Sequence, residues 1–194
     1  IGYIPGAGDD VPAALKQIGY NVTILTKVAT VGTSLAKTVA IGSGTWSIAG
    51  SGTAIDFTGT ATTVTGTGTI SLTSASAKVF AGNNLSYSGI TLNQGGVGNL
   101  SITGNNTFKD ITNTYFVLGS NLVLGSTVQT LTQFSASGAT GALVQLLGTS
   151  AAAPATLILT GTSDTTANYI TPSNIRMHKK GTGNCGLSPE TRAI

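Results

Sequence analysis

The sequence predicts an all-β protein: a parallel β-helix or solenoid-like stack of short strands, with a short strand–helix–strand cap at its start. Three observations carry that expectation. A short phrase recurs between Ser43 and about Thr132, as Gly44-Thr-Trp-Ser-Ile-Ala-Gly50, Gly68-Thr-Ile-Ser-Leu-Thr73, Gly89-Ile-Thr-Leu-Asn93, Gly98-Asn-Leu-Ser-Ile-Thr-Gly104 and Ser120-Asn-Leu-Val-Leu-Gly125. Each copy sets two apolar residues two positions apart. Strand side chains alternate between faces, so Trp46/Ile48, Ile70/Leu72, Ile90/Leu92, Leu100/Ile102 and Leu122/Leu124 are expected to point into one shared interior. The copies return at irregular intervals of roughly 20 to 30 residues, the length a β-helix coil uses for its strands and turns. An antiparallel sandwich or meander also strings short strands between Gly-rich turns, and is the alternative architecture.

Taken in order, residues 1–26 differ from the rest and form a cap or docking segment. Ile1 to Ile4 reads as a strand, Pro5-Gly-Ala-Gly8 as a turn, and Asp9 to Ile18 as a helix. Asp10 supplies an N-cap, Pro12 suits the first turn, and Gly19 follows the helix end. Val11, Ala14, Leu15 and Ile18 share one face, which would plug the exposed end of a stack. A nucleotide-binding fragment is the rival reading, because Gly6 and Gly8 precede the helix, but Val11 occupies the last glycine position of the fingerprint. Asn21 to Leu25 resumes a strand.

Residues 27–42 read as linking strands or an arm, and 43–170 as the repetitive β domain. Between the phrases, Ile55-Asp-Phe57, Thr62 to Thr65, Val79-Phe80, Phe108 to Ile111 and Tyr115 to Leu118 add further strands. Asn83-Asn84, Asn105-Asn106 and Asn113 fall at turns, where Asn tolerates left-handed backbone and can stack in ladders. Leu143 to Leu147 and Ala155 to Thr160 look like the last paired strands. Beyond Pro172 the alternation fades, so 171–194 is expected to be a basic arm or tail.

Composition narrows the function classes. Only 8% of the 194 residues are charged, against roughly 25% in an ordinary soluble protein. Polarity comes from Thr, Ser, Asn and 27 Gly. A chain so low in charge must close its sheet edges or hand them to partner chains. The net charge of +3 rests on cations too dilute for a nucleic-acid surface. Arg176, Lys179, Lys180 and Arg192 do form a local basic excess beside His178. That excess and the apolar face of Val11, Leu15 and Ile18 are the candidate assembly contacts. No apolar run approaches the roughly 20 residues of a membrane span, and no signal peptide is visible.

Catalytic chemistry finds little support. Asp56, Asp110 and Asp164 recur at equal spacing, but that spacing suits two and a half coils and would not align them on one face. His178 and Cys185 are single members of their kinds, too few for a metal site. No cofactor is expected. Trp46, Phe57, Phe80, Tyr87, Phe108, Tyr115, Phe116 and Phe134 read as core in preference to a sugar-stacking platform.

Ser43-Gly-Thr-Trp-Ser-Ile-Ala-Gly-Ser-Gly-Thr53, Leu72-Thr-Ser-Ala-Ser-Ala-Lys-Val-Phe-Ala-Gly82 and Gly98-Asn-Leu-Ser-Ile-Thr-Gly-Asn-Asn-Thr-Phe-Lys-Asp-Ile111 resemble the Gly/Thr/Ser/Asn-rich repeats of phage tail-associated and fibre proteins. They are also similar to passenger regions of bacterial surface adhesins. The resemblance spans about residues 43–140 and brings no catalytic residue with it. It implies a non-enzymatic structural protein of a phage-like virion, a fibre, spike or decoration subunit. Such a subunit would act as a homo-oligomer, with other virion or surface-assembly proteins and a host glycan as the further partners the resemblance implies. A bacterial or archaeal surface adhesin or filament subunit, extracellular or on the cell surface, is the alternative. A polysaccharide-degrading β-helix enzyme is the second alternative.

Overall fold

A computed structural model describes residues 2–3, 11–17, 19, 23–24, 37–57, 62–115, 120–161 and 167–179. The chain starts with β1 (Gly2–Tyr3), α1 (Val11–Gln17) and β2 (Thr23–Ile24). The strands β3 (Lys37–Gly42), β4 (Thr45–Ile48), β5 (Gly52–Asp56), β6 (Thr62–Gly66), β7 (Thr69–Leu72), β8 (Lys78–Ala81) and β9 (Ser86–Gln94) follow. Then come β10 (Leu100–Thr103), β11 (Asn106–Asn113), β12 (Leu122–Gly125), β13 (Val128–Phe134), β14 (Val144–Gly148), β15 (Ala155–Leu159), β16 (Ile170–Ser173) and β17 (Ile175–Lys179).

Every pairing between these strands is parallel. One sheet runs β5-β8-β10-β12-β14-β16, a second β4-β7-β9-β11-β13-β15-β17, and β3 pairs with β6. Parallel neighbours need a long connection, and here each connection is the rest of a coil. The chain makes one strand on each face and returns one rung higher. The result is a β-solenoid of about six coils, the architecture the recurring phrase predicts. Stacked partners lie from 19 residues apart (Thr91 and Asp110) to 28 (Thr130 and Ile158), so the coils vary in length. The pairing of β9 with β11 shifts register between Phe108 and Asp110: Tyr87 to Thr91 spans four positions on β9 against two on β11, so β9 carries extra residues there.

The inward positions are those that alternation selects. Ile70, Leu72, Leu92, Leu100, Leu122 and Leu124 are 0% exposed, and Ile90 and Ile102 are 1% exposed. Each such side chain contributes about 1.5–3 kcal/mol relative to an exposed one. The phrases divide between two sheets: β4, β7 and β9 belong to the seven-stranded one, β10 and β12 to the six-stranded one. They point into one interior from different walls. Early in the stack that interior is aromatic. Phe80 lies 5.2 Å from Tyr87 and 5.4 Å from Phe108, and Tyr87 stacks on Phe108 at 5.0 Å between ring centroids. The Tyr87 hydroxyl donates to the Gly82 carbonyl at 2.7 Å, so its polar end is satisfied inside the core.

Corners are tight. A Cβ on Gly98 would collide with the carbonyl of Ser76 on the coil below, which explains a glycine there. Asn83 and Asn84 hold left-handed backbone, with φ of 54° and 58°, as turn asparagines do.

Three boundaries differ from expectation. β16 and β17 occupy residues 170–173 and 175–179, so the stack continues through part of the segment 171–194 read as a tail. Alternation is hard to see there because Pro172 and Asn174 interrupt two very short strands. β3 extends the stack below residue 43, into the presumed linking segment. β14 and β15 pair with strands above and below them in different sheets, and not with each other as the last strands of the fold. In the first 26 residues β1 and β2 pair in parallel across α1, a miniature βαβ unit. Gly19 follows α1 with φ of 89°, and its N–H donates to the Lys16 carbonyl. Ala14, on the supposed apolar face of the helix, is exposed. The side chains of Val11 and Leu15, and all of Ile18, lie outside the described residues, as do Gly6 and Gly8.

Candidate functional site

The stack offers three kinds of surface: its walls, its corners and its two ends. At the corners, asparagine side chains stitch one coil to the next. Asn84 Oδ1 accepts from the Asn105 N–H at 2.6 Å, and Asn105 Oδ1 accepts from the Val128 N–H at 2.8 Å. Asn113 does both jobs at once, accepting from the Ser137 N–H at 2.7 Å and donating to the Ser137 carbonyl at 2.8 Å. These bonds replace water at turn backbone that would otherwise fray, so the corners stiffen together with the sheets.

Two charged groups are buried without a charged partner among the hydrogen bonds described. Lys78 is 0% exposed, and its Nζ donates to the carbonyls of Ser74 at 3.0 Å, Gly96 at 3.3 Å and Gly98 at 2.7 Å. Those carbonyls come from two successive coils, so the ammonium ties one corner to the next. Burial pushes the Lys78 pKa down. Gln94 Nε2 also donates to the Gly98 carbonyl at 2.7 Å. Sequence reading missed this group, although a signal existed: Lys78 alternates with the inward Phe80 and pairs with Leu100.

Asp110 is 5% exposed. Its Oδ1 accepts from the Ser135 N–H at 3.0 Å, and its Oδ2 accepts from Ser135 Oγ at 2.7 Å and Gln133 Nε2 at 2.8 Å. Burial raises its pKa, and the bonds from Gln133 and Ser135 work in the opposite direction. Asp56 closes β5 in the six-stranded sheet while Asp110 lies in the seven-stranded one, so these two carboxylates sit on different walls. Asp164 is outside the described residues, and so is Cys185. Among the described residues no group of three or more His, Cys, Asp or Glu is placed to hold a metal.

Of the candidate assembly contacts, Arg176 and Lys179 lie on β17, the outer strand of its sheet among the described residues. Arg176 is exposed and continues the outward row of Thr156; His178, also exposed, continues that of Ile158. Lys179 is half-buried. Lys180 and Arg192 fall outside the described residues. The aromatic residues divide as follows: Phe57, Phe80, Tyr87, Phe108 and Phe134 are buried, Trp46 is half-buried, and Tyr115 and Tyr169 are exposed. Phe116 is outside the described residues.

The apolar side chains that pack on the core while staying partly open are concentrated at the ends. Val39, Trp46 and Ile48 belong to the first coil, Ile175 and Met177 to the last strand, and Leu85 sits at a corner. Among the described residues no strand pairs with the outer side of β4 or of β17. The carbonyls of Gly44 and Ile48 accept from β7, so the intervening Thr45 and Ser47 turn their backbone groups away from it. The Asn174 carbonyl accepts from Ala155, which by the same alternation turns the backbone groups of Ile175 and Met177 away from β15.

These features define a parallel β-solenoid with stitched corners and, among the described residues, an edge strand at either end. No family model, curated protein or solved structure matches the chain.

Proposed function

We propose that this chain is a non-enzymatic structural protein of an exterior assembly, in the first instance a fibre, spike or decoration subunit of a phage-like virion. The observation that carries the reading is the continuous parallel stack from β3 to β17, with its corners tied by Asn84, Asn105 and Asn113. Such a body resists bending and local opening because every coil is held by its neighbours along all its strands. Its mechanism is geometric: the number of coils sets a length, and the ends and outer walls meet partners. Tyr115 and Tyr169 offer exposed aromatic surface to a glycan. A cell-surface adhesin or filament subunit makes the same physical demands and is the alternative, supported by the likeness of residues 43–140 to adhesin passenger repeats.

Light scattering combined with negative-stain imaging of the purified chain tests the proposal. A discrete oligomer or an open filament of rod-shaped subunits is expected. A compact monomer that cleaves a polysaccharide, and loses that activity on Asp110→Asn or Asp56→Asn, would overturn it in favour of the enzyme reading.

A further inference from the structure

We infer that the first coil of one copy of this chain docks on the last coil of another, so that copies join head to tail in one continuing β-stack. The inference rests on the structural reading above and names the partner and the surface it uses.

The two ends fit each other in three respects. The first is direction. All pairings from β3 to β17 are parallel, so a second copy advanced along the stack axis presents strands running the same way. The second is hydrogen bonding. Thr45 and Ser47 at one end, and Ile175 and Met177 at the other, turn N–H and C=O groups along the axis, in the alternating pattern that a parallel partner strand completes. The third is apolar contact. Trp46 and Ile48 occupy the same inward rows as Ile70 and Leu72, which are 0% exposed because coils lie on both sides of them. A coil seated on the first one would finish burying Trp46 and Ile48, and Ile175 and Met177 are half-buried at the opposite end. The match is between unlike ends, so the contact is heterologous and leaves a free end after every addition, which produces an open filament.

Proline at an outward-facing backbone position blocks edge pairing without removing a bond inside the chain. Ser47→Pro does this at the first end and Met177→Pro at the last. The wild-type chain, followed by light scattering over a concentration series and by negative stain, is expected to form rods longer than one stack. Each variant alone should raise the concentration needed for larger species by about tenfold or more, equivalent to about 1.4 kcal/mol. An equimolar mixture of the two should give a dimer and stop, because one intact first end meets one intact last end. Trp46→Asp and Met177→Asp form a second pair that acts through side chains, and circular dichroism melts identify any variant that fails to fold. Variants that assemble like wild type, or folded variants whose mixture stays monomeric, overturn the inference. A side-by-side oligomer untouched by all four substitutions overturns head-to-tail joining but leaves the structural reading standing. A wild-type monomer at every concentration overturns both.

Discussion

In the middle coils Ile70, Leu92, Leu100 and Ile111 are wholly buried, whereas Trp46 and Ile48 on β4 and Ile175 and Met177 on β17 face the same interior and are only half-buried. All of them obey one alternation rule, and they differ in whether a coil lies on one side or on both. Alternation determines the direction of a side chain, but the depth of burial comes from neighbours that the local sequence does not contain. Charge follows a similar division. The middle holds Lys78 and Asp110 under full hydrogen bonding, while Arg176 and His178 on the last strand point outward into solvent.

Substitutions along the stack test the difference between its middle and its ends. The largest effect is expected for Phe80→Ala, which removes a ring in contact with Phe57, Tyr87 and Phe108 and should cost about 3–5 kcal/mol in equilibrium urea unfolding. A loss below about 1 kcal/mol would mean that the aromatic column does not hold the coils together. Next comes the matched pair Leu92→Ala and Ile48→Ala, on neighbouring inward rows. Leu92→Ala should cost about 2–5 kcal/mol and Ile48→Ala less than half as much when measured on the monomer. Equal costs would show that the first coil is covered as thoroughly as the middle.

Lys78→Met comes third. It keeps the apolar stem and strands the carbonyls of Ser74, Gly96 and Gly98, for a loss of about 1–3 kcal/mol. It should also change the pH profile. A lysine whose pKa is lowered on folding binds fewer protons in the native state than in the unfolded one. Wild-type stability should therefore rise with pH through the window that ends at the ordinary value of 10.5, and Lys78→Met should flatten that rise. The smallest effect is expected for Asp110→Asn. The Asp110 pKa is raised on folding, so its contribution is most favourable below the ordinary carboxylate value of 3.8 and is lost as pH climbs through the raised one. The difference in urea midpoint between wild type and Asp110→Asn, followed from pH 3 to 7, should move in that direction. A difference independent of pH would remove Asp110 from the account.

The class of fold and most of the interior can be read from the residues alone. The recurring phrases were legible because a strand buried on one face must repeat with a period of two, and Gly and Asn mark where the chain has to turn. The separation of Asp56 from Asp110 was legible too, from spacing alone. The division of the phrases between two walls, the continuation of the stack through β16 and β17 to Lys179, and the inward clamp at Lys78 emerge only once the coils are stacked. The physical reason is common to all three. A parallel stack places together residues 19 to 28 positions apart, with a spacing that changes from coil to coil. Which carbonyls meet an ammonium, and which strand lies over another, therefore depend on the lengths of turns as they close in three dimensions, and no local pattern encodes those lengths.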